Sequence, residues 1–484
     1  MLDRCLMNYA NFVSRPRSFV VAPAGYGKTH TIATCLKYTN GRQLVLTHTH
    51  AGVASIKEKI QNENIPNNSF RVETITSFAQ KYVNAFYCGK DVPEQENGRE
   101  YYPFIINKAK WLFSIQPIRD VIKSTYSGLF VDEYQDCNIL QHELIKELGS
   151  ILPTRLLGDH LQGIFDFNGD LLVDFDKDLN DFEQFPELST PWRWIKKNQS
   201  LGEALKCIRN ALEKAADIDL NLYDKVIQVM VADENDKYNY KSEYNKKIWS
   251  LCNEDDVLII HPDSANLNAR KDFTSRFNNA FIIVEAIDSK DFYELSHKLD
   301  SITLDNVYQT LYELVPILFN GTASRDKWFN SSGVKIKRSD QDKDLISPIN
   351  IDIIQLKQKI SFSVISRVLK NIEKLPNMRC YRKELLWDLC GALEDAEYKA
   401  TTVYQSMEAK RNQRRREGRK LHGRCVGTTL LTKGLEFDTV AVLDAHKIKC
   451  PKNFYVAITR ASRKLIMFTA ETTISPYPKN NGDK

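Results

Sequence analysis

Four short apolar runs in the N-terminal part of the chain have strand-like density: Ser18–Ala22, Gln43–Thr47, Gly128–Val131 and Arg155–Leu157. Each ends at a small, polar or acidic cluster and leads into helically spaced sequence such as His30–Tyr38, the order expected of a parallel sheet covered by helices. A second set comprises Asp256–Ile260, Arg424–Thr428, Thr439–Leu443 and Leu465–Phe468. Its members lie far apart, so something is inserted between them. Residues 291–420 are rich in Leu, Lys and Tyr at helical spacing, as in Ile351–Ile372, and predict a mostly helical insertion. A smaller insertion is expected at 80–125, where Tyr-rich, Pro-containing sequence parts two core strands. The pattern divides the chain into an α/β unit at 1–190, a second α/β unit made of 191–290 and 421–484, and the helical insertion between its halves.

Composition narrows the class. A chain of 484 residues, 42% hydrophobic and 27% charged, has ample core and is not extensively disordered. No apolar run approaches the ~18–20 residues of a membrane span, and Asp3 and Arg4 stand where a secretory signal would begin its apolar region. A cytoplasmic protein is expected. The ten cysteines are scattered without a C-x-x-C pair, which predicts reduced thiols rather than a zinc or dithiol site. A net charge of +5 is too mild to imply nucleic acid by itself, but it is unevenly spread. Lys410, Arg411, Arg414, Arg415, Arg416, Arg419, Lys420 and Arg424 face only Glu417, a density suited to a phosphate backbone. Asp166–Glu183 is strongly acidic and would repel DNA.

Ser18–Thr29 runs from a strand into a glycine-rich turn and then a helix, with Gly27-Lys28-Thr29 at its end. Gly25, Tyr26 and Gly27 offer backbone N–H groups to a phosphate, Lys28 supplies a cation to the β and γ phosphates, and Thr29 can ligate Mg²⁺. The usual phosphate-loop pattern opens on Gly, where this chain has Ala22. Further on, Gly128–Asp136 places an apolar strand ahead of adjacent carboxylates, so that Asp132 can hold Mg²⁺ and Glu133 can accept a proton from an attacking water. Together they point to ATP hydrolysis.

These residues resemble the UvrD/PcrA/Rep group of superfamily 1A helicases. Val131-Asp-Glu-Tyr-Gln-Asp136 is similar to motif II, with its Gln-Asp ending. Leu46–Ala54 resembles motif Ia, Thr74–Ala79 motif Ib, Gly158–Phe165 motif III, Leu188–Arg193 motif IV, Lys433–Asp438 motif V and Phe454–Ala461 motif VI, in the family's order. The resemblance implies two RecA-like domains with ATP in the cleft between them. It assigns Gln162 to γ-phosphate sensing, Arg193 and Arg460 to transition-state charge, Glu436 to the nucleotide sugar, and Trp192 to adenine stacking where the family has Tyr. For single-stranded or tailed DNA it implies stacking by His48, Phe165 and Phe167 and phosphate contacts by Thr47, Ser77 and Thr428, to which the charge pattern adds Arg414, Arg415 and Arg416.

The chain also departs from the family. Residues 1–17 contain no Gln, so the adenine-reading Q motif is absent or replaced. Asn168 stands where an Arg is common in motif III, and Leu430 where motif V usually has His. Both positions help couple hydrolysis to DNA in the family, so altered coupling is expected. The reading is thus an ATP- and Mg²⁺-dependent 3′-to-5′ DNA helicase or translocase, compact and without a nuclease domain. It is expected to work with a separate nuclease and resembles the helicase component of Gabija-type antiphage systems; the alternative is a nuclease-associated, DNA-sensing ATPase that scarcely unwinds.

Overall fold

The computed structural model describes residues 7–93, 97–164, 171–262, 267–285, 290–319, 322–335, 337, 339–417 and 423–478. The first sheet contains β1 (Arg17–Val21), β2 (Gln43–Thr47), β3 (Phe70–Thr74), β4 (Gly128–Val131), β5 (Thr154–Gly158) and β6 (Glu183–Phe185), all parallel, in the order β3-β2-β4-β5-β1-β6. Strands β2, β4 and β5 are buried throughout. Helices cover both faces of a parallel sheet, so its inner strands read as continuous apolar runs. Edge strands β3 and β6 carry exposed Arg71, Glu183 and Gln184, and the apolar pattern did not announce them.

After a short β7 (Ile218–Asp219), the second sheet takes β8 (Ile227–Val231), β9 (Val257–Ile260) and β10 (Ile282–Ile283). A hairpin of β11 (Phe329–Asn330) and β12 (Gly333–Val334) lies in the helical stretch. The sheet is completed by β13 (Arg424–Gly427), β14 (Phe437–Val442) and β15 (Ala461–Thr469), and β16 (Thr473–Ile474) pairs with β7. Its order is β10-β13-β9-β14-β15-β8, again all parallel. The architecture is α/β, two parallel six-stranded sheets with helical insertions, as the apolar pattern predicted.

One apolar cluster runs from Val20 and Ile32 through Trp194 and Leu205 to Leu258, Val440 and Leu465, so the sheets share a core along the helix Gln199–Glu213. The helical insertion has its own core, including Leu311, Trp328, Leu369 and Leu393. It is tied to the second sheet by a buried ion pair in which Arg382 Nε donates to both Glu285 carboxylate oxygens at 2.9 Å. The predicted helix Ile351–Ile372 is two helices, Asp340–Gln358 and Phe362–Ile372. The break falls where Ser361 caps the second by accepting from Val364 N. Residues 80–125 hold the end of the helix Ile75–Phe86 and the helices Gly98–Phe113 and Gln116–Thr125. Among the described residues no helix is long and apolar enough to cross a membrane.

The basic helix Val403–Glu417 is less open than its charge suggests. Asp300 caps it, accepting from Val403 N at 2.7 Å and Tyr404 N at 3.0 Å, and it packs against the helix His50–Asn62. Lys410 pairs with Asp395 at 3.0 Å, Arg411 is buried, and Arg424 Nε donates to Ala280 O at the sheet edge. The side chains of Arg414, Arg415 and Arg416, with Arg419 and Lys420, lie outside the described residues.

Candidate active site

In the first sheet β1 lies between β5 and β6, with β4 beyond β5, so the loops leaving the carboxyl ends of β1, β4 and β5 open side by side. Parallel sheets bind ligands at such edges. The loop after β1 turns on Gly25 (φ 77°) and Gly27 (φ 84°), a left-handed conformation that favours glycine. Space makes the same demand. A Cβ on Gly25 would stand 2.7 Å from Trp194 Cζ3, and one on Gly27 2.8 Å from Trp192 Cδ1. Gly27 is the N-cap of the helix Lys28–Leu36 and offers no side chain to cap it. Its first-turn N–H groups and dipole therefore suit an anion. Tyr26 is buried edge-on against Trp194, which pushes its phenol up to about 12, and Thr29 is half-buried in the first turn.

Lys28 is buried and pairs with Glu133, Nζ to Oε2 2.6 Å. Burial alone would lower its pKa, but Glu133, Asp132 and Asp159 together raise it. Glu133 has a left-handed backbone (φ 53°), a strained position for a non-glycine residue, which turns the chain sharply out of β4. Burial would raise its carboxyl, yet Lys28, Lys433 and a hydrogen bond from Gln135 Nε2 hold it down to about 2. Asp132 is pushed up to about 7, first by burial and then by the charge of Glu133.

That buried carboxyl group fits a site completed by a cation. Among the described residues no cluster of three or more His, Cys, Asp or Glu could hold a metal by itself. Mg²⁺ needs none, since one carboxylate and one hydroxyl suffice when phosphates and water fill the other positions, and Asp132 and Thr29 are the residues that would hold it.

Asp159, which lies within motif III without an assigned role, organises the floor of the site. Fully buried after β5, it accepts from Arg209 Nη1 and Gln162 Nε2, both at 2.7 Å, and from Ala24 N at 3.1 Å, while its own N–H donates to Gln135 Oε1. The phosphate loop, the carboxylate turn and Gln162 are thereby fixed to one another. Arg209 also pairs with Glu187 and Glu213 and lies 5.3 Å over the Tyr455 ring.

From the other side of the cleft, Arg193 N donates to Gly25 O, its Nε to Glu436 at 2.9 Å, and its Nη1 to Thr459 O. Glu436 also accepts from Lys197 at 3.0 Å. Arg460 is buried and donates to Val456 O, Leu435 O and Thr459 Oγ1. Burial and the neighbouring Arg193 lower its pKa to about 9, within electrostatic reach of Glu133. Trp192 lies across Gly27, near His30 at 6.4 Å between rings, and is 56% exposed, so a face remains open to a flat ring. Lys433, quoted within motif V but given no role there, pairs with Asp136 at 2.5 Å and donates to Gln162 O.

Of the residues assigned to DNA, Thr47, His48 and Ser77 lie together at the carboxyl ends of β2 and β3, where Thr47 is the register partner of Thr74. Thr47 is buried under Gly52, Thr428 is buried as an N-cap accepting from Leu431 N, and Thr74 Oγ1 donates to Ser77 Oγ at 2.7 Å. Phe165 and Phe167, like Asn168, lie outside the described residues. Beside Ser77 a cavity of about 580 Å³ is lined by Thr76, Arg99, Tyr102, Asn138 and Gln141. His48 is half-buried with Nε2 3.4 Å from the Cys137 thiol, and burial and then Lys433 lower it to about 4. The unfolded chain therefore binds that proton more tightly, and stability is lost as pH falls from about 6.5 to about 4. His48→Gln should flatten the loss of unfolding free energy over that window by about 1–2 kcal/mol, discounted for partial exposure, and thermal melts across the window would show it as a shallower fall in Tm. Parallel pH curves for variant and parent would place the titration elsewhere.

Residues 8–168 match the family model described as an AAA domain. Over 182 residues the chain is 24% identical to the RecBCD enzyme subunit RecB of Buchnera aphidicola subsp. Schizaphis graminum, an alignment covering 35% of this chain and 14% of RecB. Among solved structures, the arterivirus nonstructural protein 10 helicase with DNA is 10% identical with a TM-score of 0.34, over 95% of this chain and 61% of that one. Bacteroides sp. Pif1 in complex with ADP-AlF4 is 14% identical with a TM-score of 0.29, over 56% of each chain. The chain thus spans only a fraction of each relative's length.

Proposed function

We propose that this protein is an ATP- and Mg²⁺-dependent DNA helicase or translocase of superfamily 1A, moving 3′ to 5′ on single strands. The observation that carries the reading is the meeting of Lys28, Asp132, Glu133 and Gln162 from the first sheet with Arg193 and Arg460 in one cleft. Phosphoryl transfer asks for little else. A cation and N–H groups hold the phosphates, a metal bridges them, a carboxylate orients water, and arginines meet charge as it spreads over the transferred group. The order of the helicase-like motifs and the similarity of residues 8–168 to an AAA domain support it. A separate nuclease partner and a role in phage defence extend it, on the strength of the chain's motif set.

DNA should therefore stimulate hydrolysis. Single-stranded DNA is expected to raise ATP turnover at least about tenfold, while strand displacement per ATP on a 3′-tailed duplex stays low, because Leu430 and Asn168 replace residues that link the two. Turnover indifferent to DNA would remove the helicase reading; robust unwinding by the isolated chain would show that these replacements are silent.

A further inference from the structure

We propose that Lys433 is a positioning residue for hydrolysis, pinning the carboxylate turn and the phosphate-sensing turn of the first sheet from the far side of the cleft. The inference rests on the ATPase reading above. Lys433 stands between the short helix Thr429–Thr432 and β14, in the second sheet's half of the chain. Its ammonium is nevertheless buried against Asp136, 297 residues away in sequence, and donates to the backbone oxygen of Gln162. Asp136 closes the 3₁₀ turn Tyr134–Asp136, with Asp136 N donating to Glu133 O at 3.0 Å. Gln162 ends the corresponding turn His160–Gln162 after β5. One side chain therefore holds the two turns that carry Glu133 and Gln162.

Like Arg193 N on Gly25 O and Arg209 on Asp159, Lys433 reaches first-sheet residues directly, whereas the side chains of Arg193 and Lys197 meet Glu436, itself beside β14; Lys433 holds the turns of Asp136 and Gln162. Gly434 follows with φ 83°, a backbone turn that sends the chain back to β14 at once after the lysine has crossed. Lys433 is already engaged by Asp136 and Gln162 O, so it is given no phosphate contact. Its effect is to keep Glu133 and Gln162 in register with whatever Arg460 does, so that a shift of the second sheet moves the sensing turn with it. A buried charge pair costs desolvation that only good geometry offsets, and with both its ends at the chemistry it is better understood as positioning than as stability.

The test uses the full chain with Lys433→Gln, Lys433→Arg, Asp136→Asn and the double variant Lys433→Gln/Asp136→Asn. ATP turnover is measured with and without single-stranded DNA, and affinity with a fluorescent ADP analogue. Lys433→Gln is expected to lower kcat about 10- to 100-fold, the loss expected for a hydrogen-bonded buried charge, while KM and the ADP-analogue Kd change less than about threefold. The double variant should be no slower than the slower single one, since both remove the same contact. Lys433→Arg keeps the cation and should retain at least about a third of parental turnover. It also serves if the neutral variants fail to fold, and its collapse to their level would overturn the proposal. Unchanged kcat in a folded Lys433→Gln would overturn it too, as would affinity falling in parallel with turnover, which makes Lys433 a nucleotide ligand. A parent chain with no ATP turnover would instead remove the ATPase reading beneath it.

Discussion

Lys28→Ala is expected to abolish measurable ATP turnover, with a loss of at least about a thousandfold, and to weaken nucleotide binding with it. Lys28 is the cation seated at the uncapped N-terminus of the helix Lys28–Leu36, where a phosphate meets N–H groups and helix dipole together. Its ammonium is held by Glu133, so a phosphate at Lys28 competes with that carboxylate. Alanine removes the cation from the phosphate and also strips Glu133 of its 2.6 Å partner. Glu133→Gln separates the two effects. It keeps the shape and frees Lys28 for phosphate, so affinity should hold or rise, while turnover falls about a thousandfold because the amide cannot take a proton from water. Equilibrium binding of a fluorescent ATP analogue, read beside phosphate release, distinguishes these outcomes; turnover surviving in either variant would remove the ATPase assignment.

What the sequence disclosed follows from where each contact is made. Strands β1, β2, β4 and β5 were legible because both faces are covered, which leaves an unbroken apolar run. Edge strands left no such run. In β3 the exposed Arg71 interrupts the pattern, and in β6 two of three residues face solvent within the acidic stretch. The break at Lys359–Ser361 was hidden for another reason, since Ile360 continues the apolar pattern across a serine cap. In the site, Lys28, Asp132 and Glu133 declare themselves through local chemistry. The role of Asp159 within motif III and that of Arg209 do not, because their partnership is set by the fold, and an Arg inside an amphipathic helix resembles an ordinary surface charge until the fold brings the pair to 2.7 Å. For Lys433 the partner is 297 residues away in sequence, and no spacing rule reaches it.

Of the two cleft arginines, Arg460 should matter more. Arg193 has a carboxylate partner in Glu436, so part of its charge is satisfied. The hydrogen bonds of Arg460 go to two carbonyls and a hydroxyl, neutral oxygens that orient the guanidinium without cancelling its charge. Even with its pKa lowered to about 9 it stays protonated at neutral pH. A buried, oriented cation whose own hydrogen bonds go to neutral oxygens gains most when negative charge develops in front of it, since the surroundings screen poorly and no rearrangement is needed. Arg460→Ala is therefore expected to lower kcat about 10³-fold or more with KM for ATP changed less than about tenfold, and Arg193→Ala by about one order of magnitude less. Arg460→Ala also removes the side-chain donor to Leu435 O and should cost about 1–3 kcal/mol of stability. Arg460→Lys is the better-folded control, and it should stay nearly as slow because an ammonium lacks the planar fork. Single-turnover hydrolysis by the three variants, each shown by thermal melting to be folded at the assay temperature, decides the ranking. If Arg193→Ala is slower than Arg460→Ala, then nucleotide binding releases Arg193 from Glu436 and recruits it as the principal cation.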